Sequence, residues 1–518
     1  MSKLRNRWPL FLLVALLLPM CFIGLRHTHD WGDDFAQYLA QARDLSEGHL
    51  ISAADQVRNF ENYGPAPKGL GFSLLLAPLW AASGNTVFPY FVLMSVITLL
   101  LCIALYEFLC RDFGWLSAML ASLLFAYDRH VLHAKSEIMP DLLLTLLVLL
   151  CLLVLRRNDA RRWWLLSLLV CFMILVKSAG WVLYVAVVIN VLVTWRKRPP
   201  EASVRIKHVL WTISIPLAMA FLVPFALSRN VGSNAVWYAN VFFDGNMFRT
   251  IGSNVIAYAG AFEHFFEQEL PMWMNHLLVL VLLVMIVLGA VVRLRRRADA
   301  GDLFALLWLI ILLCYPYANS PDRFLLPVLP FVLRYLLEGL RWIAALVRLP
   351  ERPVVSSVLG GFLLLHVVTV RFIVQQNERP IAGPYSADAQ EAFAVLKART
   401  PTTGLIGTAR PWAVHLLTDR TTVWMPTPGE SAHRVSHAPD PTPDFILLGT
   451  DPRHRGMYDQ LLREEVVNDS AHWINTWRNS SFVLFERRPS ATVSATYLPT
   501  TPSMNCARSS AKVAMASK

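Results

Sequence analysis

The chain has 518 residues, 55% of them hydrophobic and only 16% charged, and its apolar runs approach the roughly 20 residues that cross a bilayer. The formal charge of +11 falls in short basic clusters between those runs, which speaks against nucleic acid as a partner and fits cytoplasmic loops. The seven cysteines form no CxxC pair, and all but Cys506 lie in or beside apolar segments, so no disulfide framework is expected.

In chain order, Lys3, Arg5 and Arg7 precede the apolar stretch Trp8 to Leu25, which no small-x-small cleavage site follows. It reads as an uncleaved first helix with a cytoplasmic N-terminus. Arg156, Arg157, Arg161 and Arg162, then Arg196 to Lys207, Arg293 to Arg297 and Arg341 to Arg352, all belong in the cytoplasm under the positive-inside rule. That placement predicts a polytopic α-helical membrane protein with about 11 transmembrane helices, at 9–26, 87–109, 114–128, 139–155, 163–178, 180–195, 208–227, 275–292, 302–318, 323–343 and 354–372. The loops 27–86, 129–138, 228–274 and 318–323 then face outward, together with everything after about residue 373. The segment Gly69 to Ala82 is about 14 residues long and reads as a helix lying at or dipping into the outer face; a short tilted span is the alternative.

Three units follow: a transmembrane module over 1–372 with its first outer loop at 27–86, a small extracytoplasmic α/β domain over 373–488, and a Ser, Thr, Ala and Pro-rich disordered tail over 489–518. In the α/β domain a helix is expected near Ala387 to Ala398, with strands at "GLIGT", "TTVWM", "DFILLG" and "SFVLFERR".

Unusual polar groups collect on the expected outer face, where ionisable residues near a membrane point to function. Asp33 and Asp34 head an amphipathic helix through Phe35, Tyr38, Leu39, Ala42 and Leu45 that ends at Gly48. Acids there complement the helix dipole, and a carboxylate so placed also suits a general base. The loop "YDRHVLHAKSEIMPD", Tyr127 to Asp141, holds His130 and His133 at a spacing open to a metal, and it ends with Glu137 and Asp141 one helical turn apart, open to N-capping or to a substrate- or metal-facing role. Lys177 and Arg323 are isolated cations at the outer ends of two helices, where snorkelling is the plain alternative to holding a phosphate.

Five stretches resemble the integral-membrane glycosyltransferases of the C fold, above all the bacterial aminoarabinose and protein mannosyl transferases that use polyprenyl-phosphate-linked sugars. They are "DDFAQY", with Asp34 four residues before Tyr38; "APKGLGFSLLLAPLW"; "SEIMPD", ending in Asp141; "LVKSAG", similar to a Thr-Lys-Gly-Pro stretch; and "PDRFLLPVLP", similar to a late Arg-Tyr motif. Phe35 stands where a second acid is common, Ser178 and Ala179 replace Gly-Pro, and Phe324 replaces Tyr. The resemblance implies a catalytic aspartate in the first outer loop, mapped to Asp34 with Asp33 as the fallback.

On this basis the expected activity is inverting transfer of a sugar from a polyprenyl-phosphate donor to a lipid, polysaccharide or protein hydroxyl, at the outer face of the inner (plasma) membrane. Lys177 and Arg323 would hold the donor phosphate, Lys68 would assist, and Glu137 and Asp141 would face the substrate. This reading requires no cofactor; a divalent cation could replace part of the cationic clamp, with Glu61, Glu137 or His264 as its ligands. A lipid or solute transporter or flippase is the competing reading, but the sequence carries no internal repeat of the kind such proteins show.

Overall fold

The computed structural model describes residues 7–49, 57–58, 69–157, 161–196, 214–216, 218, 247–266, 270–315, 321–377, 381–425, 443–454, 456–457 and 460–488. Lys68, Glu61, most of the expected helix 208–227 and the tail 489–518 lie outside them.

Most described residues are helical. Helix α1 (Trp8–Phe22) opens with Pro9, whose fixed φ suits a first turn and whose missing N–H would find no helical partner there anyway. Helix α2 (Asp33–Ser46) follows, then the two-residue strand β1 (Val57–Arg58) and helices α3 (Leu70–Ser83), α4 (Phe88–Phe113), α5 (Trp115–Ala126), the short α6 (Arg129–Lys135), α7 (Asp141–Leu155) and α8 (Arg161–Val176). A single 3-10 turn, Ser178–Gly180, separates α8 from α9 (Trp181–Arg196). Helices α10 (Met247–Phe266), α11 (Met272–Arg297), α12 (Ala300–Cys314), α13 (Pro321–Leu325), α14 (Leu329–Leu346) and α15 (Glu351–Asn377) complete the bundle.

Among the described residues, two helices, Phe88–Phe113 and Met272–Arg296, are long and apolar enough to cross a membrane by length and composition, and seven shorter apolar helices accompany them. Among the described residues that measure does not reach the expected eleven, and at several places local signals cut the apolar runs. The run 114–128 yields the 12-residue α5, about 18 Å long, because Asp128 leaves the helix to cap α6 through the N–H groups of His130 and Val131. The expected helix 323–343 is divided into α13 and α14 at the segment holding Pro327, with Pro330 in the first turn of α14. Helix α3 has 14 residues, about 21 Å, less than the roughly 30 Å of a bilayer core, and it buries Gly71, Phe72, Ser73 and Leu76.

At the end of the bundle where α7 finishes, Arg334 is fully buried on α14 among Asp112, Asp299 and Asp302. Arg156 and Arg293 join the same carboxylates, so three cations meet three anions. Asp299 and Asp302 also form a capping box at the start of α12. The cluster lies about 22 Å from Asp141, at the other end of α7.

The remaining chain folds onto a six-stranded sheet with helix α16 (Ala387–Arg399), β2 (Leu405–Thr408), α17 (Pro411–Thr418), β3 (Thr421–Trp424), β4 (Phe445–Gly449), α18 (Gln460–Asn468), β5 (Trp473–Arg478) and β6 (Phe482–Arg487). The strand order is β1-β3-β2-β4-β6-β5, parallel from β1 to β4 and antiparallel from β4 to β5. Strand β4 is buried throughout, and its side chains alternate: Phe445 and Leu447 join the main core, while Ile446 and Leu448 pack with Met425, Val466 and Phe485 on the other face. One strand of this sheet, β1, comes from within 27–86, so the sheet is not built from 373–488 alone.

Candidate active site

Helix α2 is the bridge between bundle and sheet, and its burial exceeds what an amphipathic surface helix would show. Phe35 to Ala42 are all buried, because α3 covers one side and α17 the other. Polar pairs fix both contacts: Ser73 donates to Gln41 Oε1 at 3.1 Å, and Arg43 donates to Asp419 at 2.5 Å.

The two acids that begin α2 go different ways. Asp33 Oδ1 accepts the N–H groups of Trp412 and Ala413 at 2.9 and 3.1 Å, the N-terminal donors left open beyond Pro411 at the start of α17. Burial pushes its carboxyl up to about 7, against the lowering effect of those N–H groups and Arg410. The carboxyl expected as the fallback base is thus an inter-element cap. Asp34 instead faces the bundle, where Arg323 Nη1 donates to its Oδ2 at 3.0 Å.

Arg323 continues the chain of charges. Its Nε lies 2.9 Å from Asp141 Oδ2, while Asp141 Oδ1 accepts from Lys177 at 2.5 Å. The Arg323–Asp141 contact is close but misaligned, so both buried atoms are left without a hydrogen bond. Lys177 occupies the extended residue between α8 and the 3-10 turn, which aims it inward from a helix end. Glycine makes the neighbouring approach feasible, since a Cβ on Gly69 or Gly71 would lie 2.4 or 2.7 Å from the backbone of Leu175 or Val176. Phe324 presents its ring to both cations, 5.2 Å from Lys177 Nζ and 5.6 Å from the Arg323 guanidinium carbon.

Asp33, Asp34, Asp141 and Arg323 line a cavity of about 470 Å³, and Lys177 stands behind Asp141. On its other wall, His29 is buried and stacked on Phe35 with ring centroids 3.8 Å apart. Ile138 N–H donates to His29 Nε2 at 3.4 Å, which leaves Nδ1 to carry the proton toward Asp30, 2.9 Å away. Glu137 pairs with His133 at 3.0 Å, and that hydrogen bond raises the His133 imidazole. Glu137 lies in the bend after α6 whereas Asp141 opens α7, so the expected one-turn spacing of the two acids on a single helix is not what the fold builds.

The two histidines of this loop also part. His130 faces His264 and Asp322, and the three residues bring ligand atoms within 4.8 Å of one another. Burial lowers the His130 imidazole, favouring the neutral form that ligates metals. His130 Nε2 and Asp322 Oδ1 are buried without a hydrogen bond, so this donor set fits a divalent cation. Of the residues expected as ligands, His264 belongs to this group, Glu137 does not, and Glu61 is outside the described residues.

Arg410, which no local sequence signal singles out, lines the same cavity from the sheet side. The following Pro411 marks a helix start, but nothing local tells that the residue reaches a site beside Asp33 and Asp34.

Known proteins give a consistent comparison. Residues 68–250 match the family model described as dolichyl-phosphate-mannose-protein mannosyltransferase. No curated protein sequence matches. Among solved structures, ArnT from Cupriavidus metallidurans bound to undecaprenyl phosphate is similar over 93% of this chain and 99% of its own, with 15% identity and a TM-score of 0.54. The apo form of that protein gives 0.52 over 93% and 98% of the two chains, also at 15% identity. The Archaeoglobus fulgidus oligosaccharyltransferase tethered with an acceptor peptide gives 0.53 at 12% identity, covering 92% of this chain and 73% of that one. The chain has the C fold of integral-membrane glycosyltransferases.

Proposed function

We propose that the protein transfers a sugar from a polyprenyl-phosphate donor to an acceptor hydroxyl at the outer face of the inner membrane, with inversion and with Asp34 as general base. The observation that carries this reading is the unbroken series Asp34, Arg323, Asp141 and Lys177, the first three lining a cavity large enough for a sugar and Lys177 backing Asp141.

In this series Arg323 is shared between two carboxylates and leaves its Nε without an aligned acceptor. A phosphate oxygen is a better partner for that fork than a misaligned carboxylate. When it arrives, Arg323 turns toward it and Asp34 loses a cation, which makes the Asp34 carboxylate more basic at the moment an acceptor is present. The acceptor oxygen then attacks the anomeric carbon. Its proton passes to Asp34, and the bonding pair of the glycosidic C–O bond leaves with the polyprenyl phosphate. Lys177 and Arg323 stabilise the charge that grows on that phosphate. Asp141 holds the two cations in register, and Lys68 follows Lys177 and Arg323 as a further cation for the phosphate. His130, His264 and Asp322 are the residues that would hold a divalent cation, which when bound supplies further positive charge beside the cavity. The acceptor hydroxyl belongs to a lipid, a polysaccharide or a protein.

Binding of undecaprenyl phosphate to the full chain in nanodiscs tests the phosphate assignment. Arg323→Gln should weaken it by about tenfold or more, as loss of a charged hydrogen bond would. An unchanged affinity in Arg323→Gln and Lys177→Gln alike would remove the phosphate site from this wall.

A further inference from the structure

Each carboxylate around the cavity has its own partner. Asp34 and Asp141 meet Arg323 and Lys177, Asp33 meets the start of α17, Asp30 meets His29 and the Gly32 N–H, Glu137 meets His133, and Asp322 meets His130 and His264. Arg410 is the exception among the lining charges. Its Nε donates to the Gly456 carbonyl at 3.0 Å; its charge acts on the nearby Asp33 carboxyl, but among the described residues its two terminal nitrogens make no hydrogen bond and no ion pair within 4 Å.

The fold takes trouble to hold it there. Arg410 follows β2 and immediately precedes α17, so it sits at the carboxyl end of a parallel strand, a common position for ligand contacts in α/β sheets. Asp33 fixes its backbone from one side through the Trp412 and Ala413 N–H groups. Gly456 fixes the guanidinium from the other, and only glycine fits: a Cβ would lie 2.9 Å from Arg410 Nε and 2.4 Å from the Trp31 Cβ. Trp31, in turn, donates to His454 Nδ1 at 3.0 Å and packs on Phe482, which ties this loop to the segment that leads into α2.

We infer that Arg410, supplied by the sheet domain and held by Gly456, is a specificity-determining residue that binds an oxyanion on the acceptor, beside the hydroxyl that Asp34 deprotonates. This rests on the transferase reading above. The donor phosphate is assigned to Arg323 and Lys177, and a second guanidinium lining the same cavity, with no hydrogen bond at either terminal nitrogen among the described residues, suits a second anion. An acceptor without that group would enter but sit loosely, whereas an anionic acceptor would be gripped at two points.

The test uses the full chain in nanodiscs with saturating undecaprenyl phosphate, so that the donor-phosphate subsite is filled, and titrates phenyl phosphate as a soluble oxyanion by calorimetry. Arg410→Gln should weaken phenyl phosphate by about tenfold or more, and Arg410→Lys by less. Gly456→Ala should match Arg410→Gln although it keeps every charge, since it moves the guanidinium. Undecaprenyl phosphate affinity should stay within about twofold in all three variants. Unchanged phenyl phosphate affinity in Arg410→Gln, or no binding to the wild type, overturns the inference. A loss of undecaprenyl phosphate affinity as large as that for phenyl phosphate also overturns it, because Arg410 would then serve the donor. Should Arg410→Gln fail to fold, Arg410→Lys and Gly456→Ala carry the comparison. Arg410-dependent phenyl phosphate binding in a protein that transfers no sugar from any donor would leave the subsite standing and sink the transferase reading alone.

Discussion

Asp33 and Asp34 are adjacent in sequence and opposite in environment, and the difference is measurable. Asp33 sits half-buried against the start of α17, and loss of solvent there pushes its carboxyl from the usual 3.8 up to about 7. A folded-state value above the unfolded one means that the stabilisation is fully present below about 3.8 and is lost as pH rises through about 7. The melting temperature of the wild type should therefore fall between pH 5 and pH 8, and Asp33→Asn, which keeps an acceptor oxygen without a titrating proton, should flatten that slope. Equal slopes would mean that Asp33 does not titrate in this range. The pair was legible as acids at a helix start, and the resemblance ranked Asp34 first. What the sequence could not tell is that Asp33 caps a helix 379 residues further on.

At the level of elements, α11 and α14 approach each other closely at two glycines. A Cβ on Gly289 would meet the Tyr335 carbonyl oxygen at 1.8 Å, and one on Gly339 would meet the Met285 carbonyl oxygen at 2.1 Å. The two helices touch backbone to backbone, as small residues permit in apolar bundles. Gly339→Leu should cost about 3 kcal/mol or more by forcing that contact apart, read as a lower thermal midpoint of the purified protein. A midpoint unchanged from wild type would show that α11 and α14 separate freely. Neither glycine stands out in its apolar run, since the signal lies in a partner about fifty residues away. Other elements were plain in the sequence: α16 and the strands β2, β3, β4 and β6 fall where the apolar runs predicted. Strand β5, "WINTWR", was not, because an edge strand buries only Trp473 fully and its other residues read as loop. Strand β1 is two residues long and owes its place entirely to β3.

Across the whole molecule, the candidate site draws one residue from each of five distant places: Asp34 from α2, Asp141 from α7, Lys177 from the break after α8, Arg323 from α13 and Arg410 from the loop before α17. Reading polar groups onto one face of a helical bundle brought the first four to notice separately. Their direct pairing was hidden, because charge pairing across α2, α7, α8 and α13 depends on how the helices pack rather than on any local pattern. Arg410 was hidden for a further reason: its segment reads as a soluble α/β unit, and only the docking of α17 on α2 brings it to the cavity.

The most direct measurement of the central claim is sugar transfer from a panel of radiolabelled polyprenyl-phosphate sugars in membranes carrying the wild type or Asp34→Asn at matched expression. Loss of the general base should lower transfer by about a hundred- to ten-thousand-fold while undecaprenyl phosphate still binds. Transfer by Asp34→Asn equal to that of the wild type would contradict the account.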